Sequence, residues 1–307
     1  MTKVLIATEK PFAAPAVAAI KDIVSKAGYE TVLLEKYTEK SQLLAAVADV
    51  DAIIIRSDKI DKEVFDAAKN LKIVVRAGAG YDNVDLAEAT AHNVCVMNTP
   101  GQNSNAVAEL VMGLLVFNAR NQFNGKSGSE LKDKKMGILA YGNVGRNVAR
   151  IAKGFGMEIF AYDAFVPAEA IKESGATPIA TVPELFATCD VISLHAPATP
   201  ETIKSINYDL LMKMPKDAVL INSARKEIID EEGVLKALTE RTDLRYLTDI
   251  MPANHEAMVA ALGDRYFSTP KKMGAQTGEA NSNAGIAAAN QIVDFIANGV
   301  EKFRVNK

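Results

Sequence analysis

The chain has 307 residues, 49% of them hydrophobic, which is enough for two domains whose cores need no disulfide or metal for stability. Its 35 basic and 38 acidic residues are interspersed and give a formal charge of −3, which excludes broad electrostatic attraction to nucleic acid or anionic lipid. The two cysteines, Cys95 and Cys189, lie in apolar runs, and no apolar run reaches the roughly 18 residues of a membrane span. We therefore expect a cytoplasmic protein with buried thiols and without a metal site, signal peptide or membrane partner.

The first part of the chain alternates short apolar strands with helical stretches, which is typical of an α/β layer with a parallel sheet. Strands are predicted at 4–7, 31–34, 52–56, 72–76 and 94–98. Two of them end in groups suited to anions, because a glycine turn presents backbone amides to a carboxylate and an arginine-serine pair can bind a second anionic group. The predicted substrate-binding residues are Arg56, Ser57, Arg76, Gly78, Ala79 and Gly80.

The remainder of the chain repeats this alternation after a long apolar helix. That helix is predicted at 105–119, with Asn105 as its N-cap, and a polar segment follows at 121–128. Further strands are predicted around Ile138 and Ile159 and at 191–194, 218–222 and 245–248, with helices at 181–188, 231–239 and 284–297. The pattern predicts a second α/β layer with its own parallel sheet.

The most specific local pattern is a strand, a glycine turn, a helix and a second strand that ends in an acid. The first strand is predicted at 136–140. In the turn that follows, Gly142 permits close approach of a ligand and Gly145 lets helix and strand touch, while the free amides of the helix start suit a pyrophosphate. Asp163 ends the second strand about 20 residues further on, where its carboxylate can bind ribose hydroxyls and would repel a 2′-phosphate. The order predicts a dinucleotide site with a preference for NAD.

Two details of this motif leave room for other interpretations. Ala140 stands where the first of three glycines is usual, so the turn must adopt a geometry that an L-residue can reach. The alternative to a cofactor site is an ordinary βαβ unit whose glycines serve packing.

Apolar residues recur every three to four positions in the helix and are expected to pack on the sheet. They are Val144, Val148, Ile151 and Phe155.

Motifs along the whole chain agree with one family. Besides the glycine turn, they are VVRAGAGYDNVDL from Val74, NTPGQNSNAVAE from Asn98, LHAPATPET from Leu194, LINSARKEIIDEEGVLKAL from Leu220 and TPKKMGAQTGEAN from Thr269. Together they resemble the D-2-hydroxyacid dehydrogenase family, and most of all its members that act on 3-phosphoglycerate. The resemblance implies an α/β fold of two Rossmann-like doubly wound parallel-sheet domains with an active-site cleft between them. The implied domains are a substrate domain, 1–98 with 283–307, and a dinucleotide-binding domain, 99–282.

The resemblance also bears on assembly and regulation. It implies a homodimer formed through the 105–119 helix. It further implies a chain that stops about where the catalytic core ends, so we expect no regulatory domain that binds serine.

A site that oxidises a 2-hydroxy acid must hold the carboxylate, polarise the C2 oxygen and take up its proton. Arg225 follows a predicted strand and occupies the family's arginine position, where its planar fork can bind carboxylate and oxygen together. Most relatives use a histidine backed by a glutamate, but here a Lys271-Lys272 pair replaces the histidine and Asn254 replaces the glutamate. A lysine base needs a lowered pKa rather than an acidic partner. Partial burial, Arg225 and the positive nicotinamide would all lower it.

The choice between the two lysines depends on the side from which the motif is counted. Counting back from Gly274 aligns Lys272 with the family's histidine, and counting forward from the Thr-Pro dipeptide aligns Lys271. We predict Lys272, because the glycine-rich side fixes the backbone and consecutive residues of an extended segment point in opposite directions. Two solvated lysines without a role are one alternative, and His255 beside Asn254 is another candidate base.

The sequence therefore predicts NAD-dependent oxidation of 3-phosphoglycerate to 3-phosphohydroxypyruvate, the first step toward serine, with Arg225 and Lys272 as catalytic residues. A glyoxylate or hydroxypyruvate reductase and a non-catalytic NAD(H)-sensing protein are the alternatives. Asp249 is expected to help fix the nicotinamide amide. The predicted cofactor-binding residues are Gly142, Asn143, Val144, Gly145, Asp163, His195, Pro197, Thr202, Ser223, Ala224, Asp249 and Gly274.

Overall fold

The computed structural model describes residues 1–306 and separates them into two compact units. Unit 1 comprises Met1–Asn103 and the chain from Thr277, and unit 2 comprises Ser104–Gln276. The units thus divide at Asn103 and Thr277 where the sequence suggested 98 and 283. A division at 283 would cut the C-terminal helix, Gly278–Asn298, which is one continuous element. No helix within residues 1–306 is both long and apolar enough to cross a membrane.

Unit 1 is built on five parallel strands in the order β2-β1-β3-β4-β5. The strands are β1 (Lys3–Thr8), β2 (Glu30–Glu35), β3 (Ala52–Ile55), β4 (Ile73–Arg76) and β5 (Cys95–Asn98). The helices are α1 (Ala14–Lys26), α2 (Lys40–Val47), α3 (Lys62–Ala67) and α4 (Leu86–Ala91), and the C-terminal helix Gly278–Asn298 also belongs to this unit. Side chains alternate between the faces of the sheet, so Val4 and Ile6 pack with α1 and the C-terminal helix while Leu5 and Ala7 pack with α2 and α3.

Unit 2 contains seven parallel strands in the order β12-β11-β10-β9-β6-β7-β8. The strands are β6 (Lys135–Leu139), β7 (Glu158–Tyr162), β8 (Thr177–Pro178), β9 (Val191–Leu194), β10 (Val219–Asn222), β11 (Arg245–Thr248) and β12 (Tyr266–Ser268). The helices are α5 (Ser104–Ala119), α6 (Asn143–Gly154), α7 (Ala168–Glu173), α8 (Val182–Thr188), α9 (Tyr208–Lys213), α10 (Glu231–Glu240) and α11 (His255–Leu262). Short 3₁₀ turns occur at Asn121–Phe123, Lys226–Ile228 and Gly263–Arg265. Two α/β units, each with a doubly wound parallel sheet, confirm the predicted fold class.

The N-cap predicted for α5 is wrong. The helix begins at Ser104, so Asn105 lies inside its first turn. The Asn105 side chain bonds along and away from the helix instead of capping it: Nδ2 donates to Glu109 Oε1 at 2.6 Å, and Oδ1 accepts from Arg150 Nη2 at 2.7 Å on α6. The residue before the helix is Asn103, and Asn103, Ser104 and Asn105 are all of types that favour the N-cap, so the sequence does not rank them.

The predicted packing face of α6 is also partly wrong. Val148 is buried, and Val144 and Ile151 pack against the same core while partly exposed, so these three residues are confirmed. Gly145, Ala149 and Ala152 complete the buried face, and Phe155, which follows the helix with 42% of its surface exposed, does not belong to it. A Cβ at Gly145 would collide with the carbonyl oxygen of Ala140, which shows how closely helix and strand approach. The close approach selects small side chains along the contact and turns the larger residues toward its margins.

Candidate active site

The order of strands in unit 2 reverses between β6 and β9, and ligands of such sheets bind outside the carboxyl ends of the strands at that point. β6 ends at Leu139, and Gly142 is the N-cap of the 12-residue helix α6. A Cβ built on Gly142 would meet no atom within 4 Å, so the backbone is open to a ligand there. Free amides at a helix start and an open glycine together fit a pyrophosphate.

Ala140 connects β6 to this turn in the left-handed region, with φ of 73°. Its N–H donates to the carbonyl of Tyr162 at 2.9 Å, which holds it against the neighbouring strand. Only the first glycine of the usual motif is replaced, and the alanine adopts the conformation that glycine would take. The turn geometry is therefore preserved at the cost of local backbone strain.

Asp163 stands just past the end of β7 and is fixed by backbone donors. Its Oδ2 accepts from the Tyr141 N–H at 2.6 Å, and its Oδ1 accepts from Phe165 and Val166 N–H at 2.8 and 2.9 Å. These bonds tie the end of β7 to the glycine turn. The carboxylate is thus held in one orientation on the wall of a large cavity in unit 2.

That cavity has a volume of about 800 Å³, which suits a nucleoside portion of a dinucleotide. Five of the predicted cofactor-binding residues line it: Gly142, Asp163, His195, Pro197 and Thr202. Sequence reasoning missed the apolar part of its wall, because these side chains carry no motif beyond a Val-Pro start of α8. The missed lining residues include Ala164, Phe165, Val182, Pro183 and Leu210.

His195 follows β9 and lies between two serine hydroxyls. Its Nε2 is 2.9 Å from Ser193 Oγ and its Nδ1 is 3.4 Å from Ser223 Oγ. Burial lowers the pKa of His195 to about 3, so the ring is neutral at physiological pH. A neutral, doubly hydrogen-bonded ring suits a wall of a cofactor cavity better than a proton-transfer group.

Arg225 and Lys272 meet at one carbonyl oxygen after β10. Arg225 Nη1 donates to the Ala224 oxygen at 2.9 Å, and Lys272 Nζ donates to the same oxygen at 3.4 Å. Asn222, the last residue of β10, fixes the turn by donating from Nδ2 to the Arg225 carbonyl and accepting from the Ala224 N–H. Two cationic groups are therefore held side by side at the carboxyl edge of the sheet.

Asp249 organises the segment that carries Lys272. This buried carboxylate accepts from Thr269 Oγ1 at 2.9 Å and from the Met273 and Gly274 N–H groups, both at 2.8 Å. A Cβ at Gly274 would lie 3.0 Å from Asp249 Oδ2, so glycine permits this approach. The anchor fixes the backbone on the carboxyl-terminal side of Lys272.

The other residues considered for proton transfer have different hydrogen-bond partners. Lys271 is exposed, without a hydrogen bond or ion pair to any residue of 1–306. Asn254 donates from its N–H and Nδ2 to Glu231 of α10, and His255 Nδ1 is 2.9 Å from the Tyr266 hydroxyl. Lys272 itself is exposed, so the expected partial burial is wrong. The Lys272 ammonium nevertheless lies against the Ala224 carbonyl oxygen, which Arg225 Nη1 also binds.

Unit 1 brings its predicted anion-binding residues to one edge. Arg56 and Arg76 are linked, because Arg76 Nε donates to the Arg56 carbonyl at 3.0 Å. The glycine turn that follows β4 is tight: Gly78 has φ of 151°, and a Cβ there would overlap the Arg76 guanidinium. Thr99 N–H and Asn98 Nδ2 bind the carbonyls of Gly78 and Ala79 at 2.9 and 2.6 Å. Ser57 and Ala79 are exposed at this edge, and Gly80 is partly exposed.

The fold and the cavity define a dinucleotide-binding α/β protein. Residues 114–267 match the family model described as "D-isomer specific 2-hydroxyacid dehydrogenase, NAD binding domain". The chain therefore belongs to the D-isomer-specific 2-hydroxyacid dehydrogenase family.

Curated and solved relatives agree with this assignment. The chain is 34% identical over 270 residues to D-3-phosphoglycerate dehydrogenase of Methanocaldococcus jannaschii, a match that covers 82% of this chain and 51% of that protein. It is 33% identical over 281 residues to hydroxypyruvate reductase of Thermotoga maritima, covering 86% and 90% of the two chains. The crystal structure of NAD⁺-bound 3-phosphoglycerate dehydrogenase of Entamoeba histolytica has a TM-score of 0.88 and 48% identity, covering 100% of this chain and 99% of that one. The chain thus spans about half the length of the archaeal phosphoglycerate dehydrogenase that it matches.

Proposed function

We propose that the protein oxidises the C2 alcohol of 3-phosphoglycerate to 3-phosphohydroxypyruvate with NAD, the reaction that opens a route to serine. The observation that carries this proposal is the Arg225–Lys272 pair on the Ala224 carbonyl oxygen. It combines the two groups that the oxidation of a 2-hydroxy acid requires: a guanidinium that binds the carboxylate and a proton acceptor. The Entamoeba enzyme, 48% identical and matched over its whole length, bears the same activity in its name.

In this mechanism the two cations have separate roles. Arg225 binds the substrate carboxylate and the C2 oxygen, which positions the C2 hydrogen. Lys272, as the neutral amine, accepts the hydroxyl proton while the electron pair of the O–H bond forms the C=O bond. Asp249 keeps the lysine segment in place through the Met273 and Gly274 N–H groups.

The cofactor fits the residues of unit 2. Gly142 to Gly145 would hold the pyrophosphate at the start of α6, and Asp163 would bind the ribose hydroxyls at the cavity wall. Asp249 is proposed to help hold the nicotinamide amide. When bound, NAD accepts the hydride that leaves C2.

Unit 1 would supply the recognition of the substrate anion. Arg56 and Ser57 are proposed to bind the phosphate end, and Arg76 with the turn Gly78 to Gly80 the carboxylate end. In addition we propose a cytoplasmic homodimer that pairs through α5, whose Leu110 and Val116 remain partly exposed.

One observation favours a second candidate, the reduction of unphosphorylated hydroxypyruvate. The match to the Thermotoga hydroxypyruvate reductase covers 90% of that protein, whereas the match to the Methanocaldococcus phosphoglycerate dehydrogenase covers 51%. The two activities share Arg225 and the lysine base, and they differ in the need for a phosphate site. A panel of substrates separates them.

The first experiment measures NADH formation from 3-phosphoglycerate and D-glycerate, and NADH consumption with hydroxypyruvate, its 3-phosphate and glyoxylate. We expect phosphorylated substrates to have the highest kcat/KM. Faster turnover of unphosphorylated acids would make the protein a reductase, and no turnover of any acid would leave an NAD(H)-binding protein without the proposed catalysis.

The second experiment compares Lys272→Ala with the matched neighbour Lys271→Ala. Loss of the base is expected to lower kcat by about 10²–10⁴-fold in the first variant and to change it little in the second. For the wild type, the rate of alcohol oxidation should rise with pH until Lys272 is deprotonated, because only the neutral amine accepts a proton. Equal activity of both variants would remove lysine from the mechanism, and loss in Lys271→Ala alone would reverse the assignment.

A further inference from the structure

The histidine that follows β9 lies beside the turn that follows β10. These two strands are parallel neighbours, with Leu194 opposite Asn222 at their carboxyl ends. The next residue of each chain segment, His195 and Ser223, therefore leaves the sheet at the same place. The N–H of His195 donates to the Leu139 carbonyl at 2.9 Å, which fixes its backbone at the switch point between β6 and β9. Its side chain lines the cofactor cavity, so one residue reaches both that cavity and the turn after β10.

Each nitrogen of the His195 ring has a different serine as its partner. Nε2 is 2.9 Å from Ser193 Oγ on β9, and Nδ1 is 3.4 Å from Ser223 Oγ in the turn. Burial lowers the pKa of the ring to about 3, so at neutral pH the ring has one donor and one acceptor. A serine hydroxyl can donate or accept, so both contacts are hydrogen bonds in either tautomer. The ring thus joins the buried end of β9 to the turn after β10.

The Ser223 hydroxyl depends on this contact. Ser223 is 6% exposed, and within residues 1–306 its Oγ has no hydrogen-bond partner other than His195 Nδ1. A buried hydroxyl without a partner is unfavourable. Loss of the ring nitrogen would therefore favour a rearrangement of the turn that brings this hydroxyl to water.

Such a rearrangement would move the carbonyl group on which the proposed catalytic residues meet. Ser223 precedes Ala224, whose carbonyl oxygen binds both catalytic cations. Asn222 holds one side of the turn, since its side chain binds the Ala224 N–H and the Arg225 carbonyl. His195 holds the other side through Ser223. A displacement of about 1 Å at a reacting group can cost about 100-fold in rate.

We propose that His195 is a positioning residue, which through Ser223 holds the turn after β10 in the orientation that the Arg225–Lys272 pair requires. This inference rests on the proposed oxidation of 3-phosphoglycerate. The ring takes no part in the proton transfer itself. Because the ring also lies on the wall of the cofactor cavity, its contact with a cofactor is a second role, and the variants below separate the two roles.

Two amide substitutions distinguish the two ring nitrogens. The amide nitrogen of asparagine lies about where Nδ1 lies in histidine, and that of glutamine about where Nε2 lies. His195→Asn therefore keeps a partner for Ser223, whereas His195→Gln keeps one for Ser193. We expect kcat with 3-phosphoglycerate to fall about tenfold or more in His195→Gln and clearly less in His195→Asn. The Kd for NADH, from its fluorescence, should change similarly in both, because both remove the ring from the cavity wall. Equal kcat of the two variants would make His195 a cofactor contact alone and overturn the positioning role.

Serine variants test the same hydrogen bonds from their other ends. Ser223→Ala should lower kcat about as much as His195→Gln, and the matched control Ser193→Ala should stay within about threefold of the wild type. The double variant of His195→Gln and Ser223→Ala should lose little more than either single variant, because both changes remove one hydrogen bond. Fully additive losses would show that the two residues act independently and would overturn the inference. Urea denaturation checks that each variant is folded.

A measurement without turnover separates this inference from the proposed function. Calorimetric titration of 3-phosphoglycerate into the NADH complex reports how well Arg225 is placed for the carboxylate. Weaker binding in His195→Gln and Ser223→Ala but not in Ser193→Ala, without turnover by the wild type, supports the positioning role and overturns the oxidation. Turnover by the wild type with unchanged kcat in His195→Gln and Ser223→Ala overturns the positioning role and leaves the function standing. Neither binding nor turnover by the wild type overturns both.

Discussion

Ala140 shows how a single residue can depart from a motif while the motif survives. Its φ of 73° is a conformation that costs an L-residue about 1–2 kcal/mol, whereas glycine adopts it freely. Ala140→Gly should remove this strain but give the unfolded chain more freedom, which costs about 0.4–1 kcal/mol. We expect a net gain in the free energy of unfolding of about 0.5–1 kcal/mol, measured by urea denaturation.

A matched control for this change is Ala164→Gly on the same cavity wall. Ala164 is not among the residues with positive φ, so glycine there only adds freedom to the unfolded chain. The control should lose stability while Ala140→Gly gains it. If both variants lose stability, strain at position 140 is not a significant energetic cost.

His195 gives unit 2 a pH-dependent stability with a predictable sign. Its pKa is about 3 in the folded protein because of burial, and about 6.5 when unfolded. Between these values the unfolded state binds one proton more than the folded state, so the stability contributed by His195 is complete above about pH 6.5 and decreases as pH falls toward 3. The limiting slope for one proton is about 1.4 kcal/mol per pH unit.

The measurement compares wild type with His195→Gln by urea denaturation at several pH values from 7 down to 4.5. The wild type should lose stability more steeply, and the difference in slope should approach about 1 kcal/mol per pH unit below pH 6. Parallel slopes would mean that His195 titrates in the folded state near its ordinary pKa. Other groups contribute equally to both proteins and cancel in the comparison.

At the scale of elements, the sequence predicted what depends on local pattern. Ten of the strands were recognised because buried parallel strands are continuous apolar runs, as in β9 and β11, whose bounds were predicted to the residue. β8 and β12 were missed, since two or three residues at a sheet edge carry no pattern of their own. The start of α5 was misplaced by one residue because Asn103, Ser104 and Asn105 are all residue types that can cap a helix.

The same distinction between local pattern and tertiary contact applies to the residues of the candidate site. The glycine turn and Asp163 were predictable because cofactor binding imposes a fixed spacing on one continuous segment. The exposure of Lys272, the partners of Arg56 and the apolar wall with Phe165 were not, because each depends on residues distant in sequence. Asn281, for example, is 225 positions from the Arg56 that it binds. Tertiary contacts of this kind leave no local signal.

At the scale of the whole molecule, each hydrophobic core belongs to one unit. Two buried clusters lie within unit 2 and two within unit 1, on either face of the respective sheets. The proposed NAD site is made of unit 2 residues alone. Binding should therefore stabilise the unit 2 core specifically, provided that each core can open by itself.

Hydrogen exchange with and without NAD tests this consequence. At a free concentration of about 100 times Kd, binding stabilises the folded unit by about 2.7 kcal/mol, so the slowest amides of β6, β9 and β10 should exchange about 100-fold more slowly. The slowest amides of β1 and β3 should keep their rates, and they serve as the internal control. Equal slowing in both sheets would show that the two cores open together, and no slowing in either would remove NAD binding from unit 2. Repeating the experiment with Asp163→Ala should reduce the protection of β6, β9 and β10, because the carboxylate proposed to bind the ribose hydroxyls is then absent.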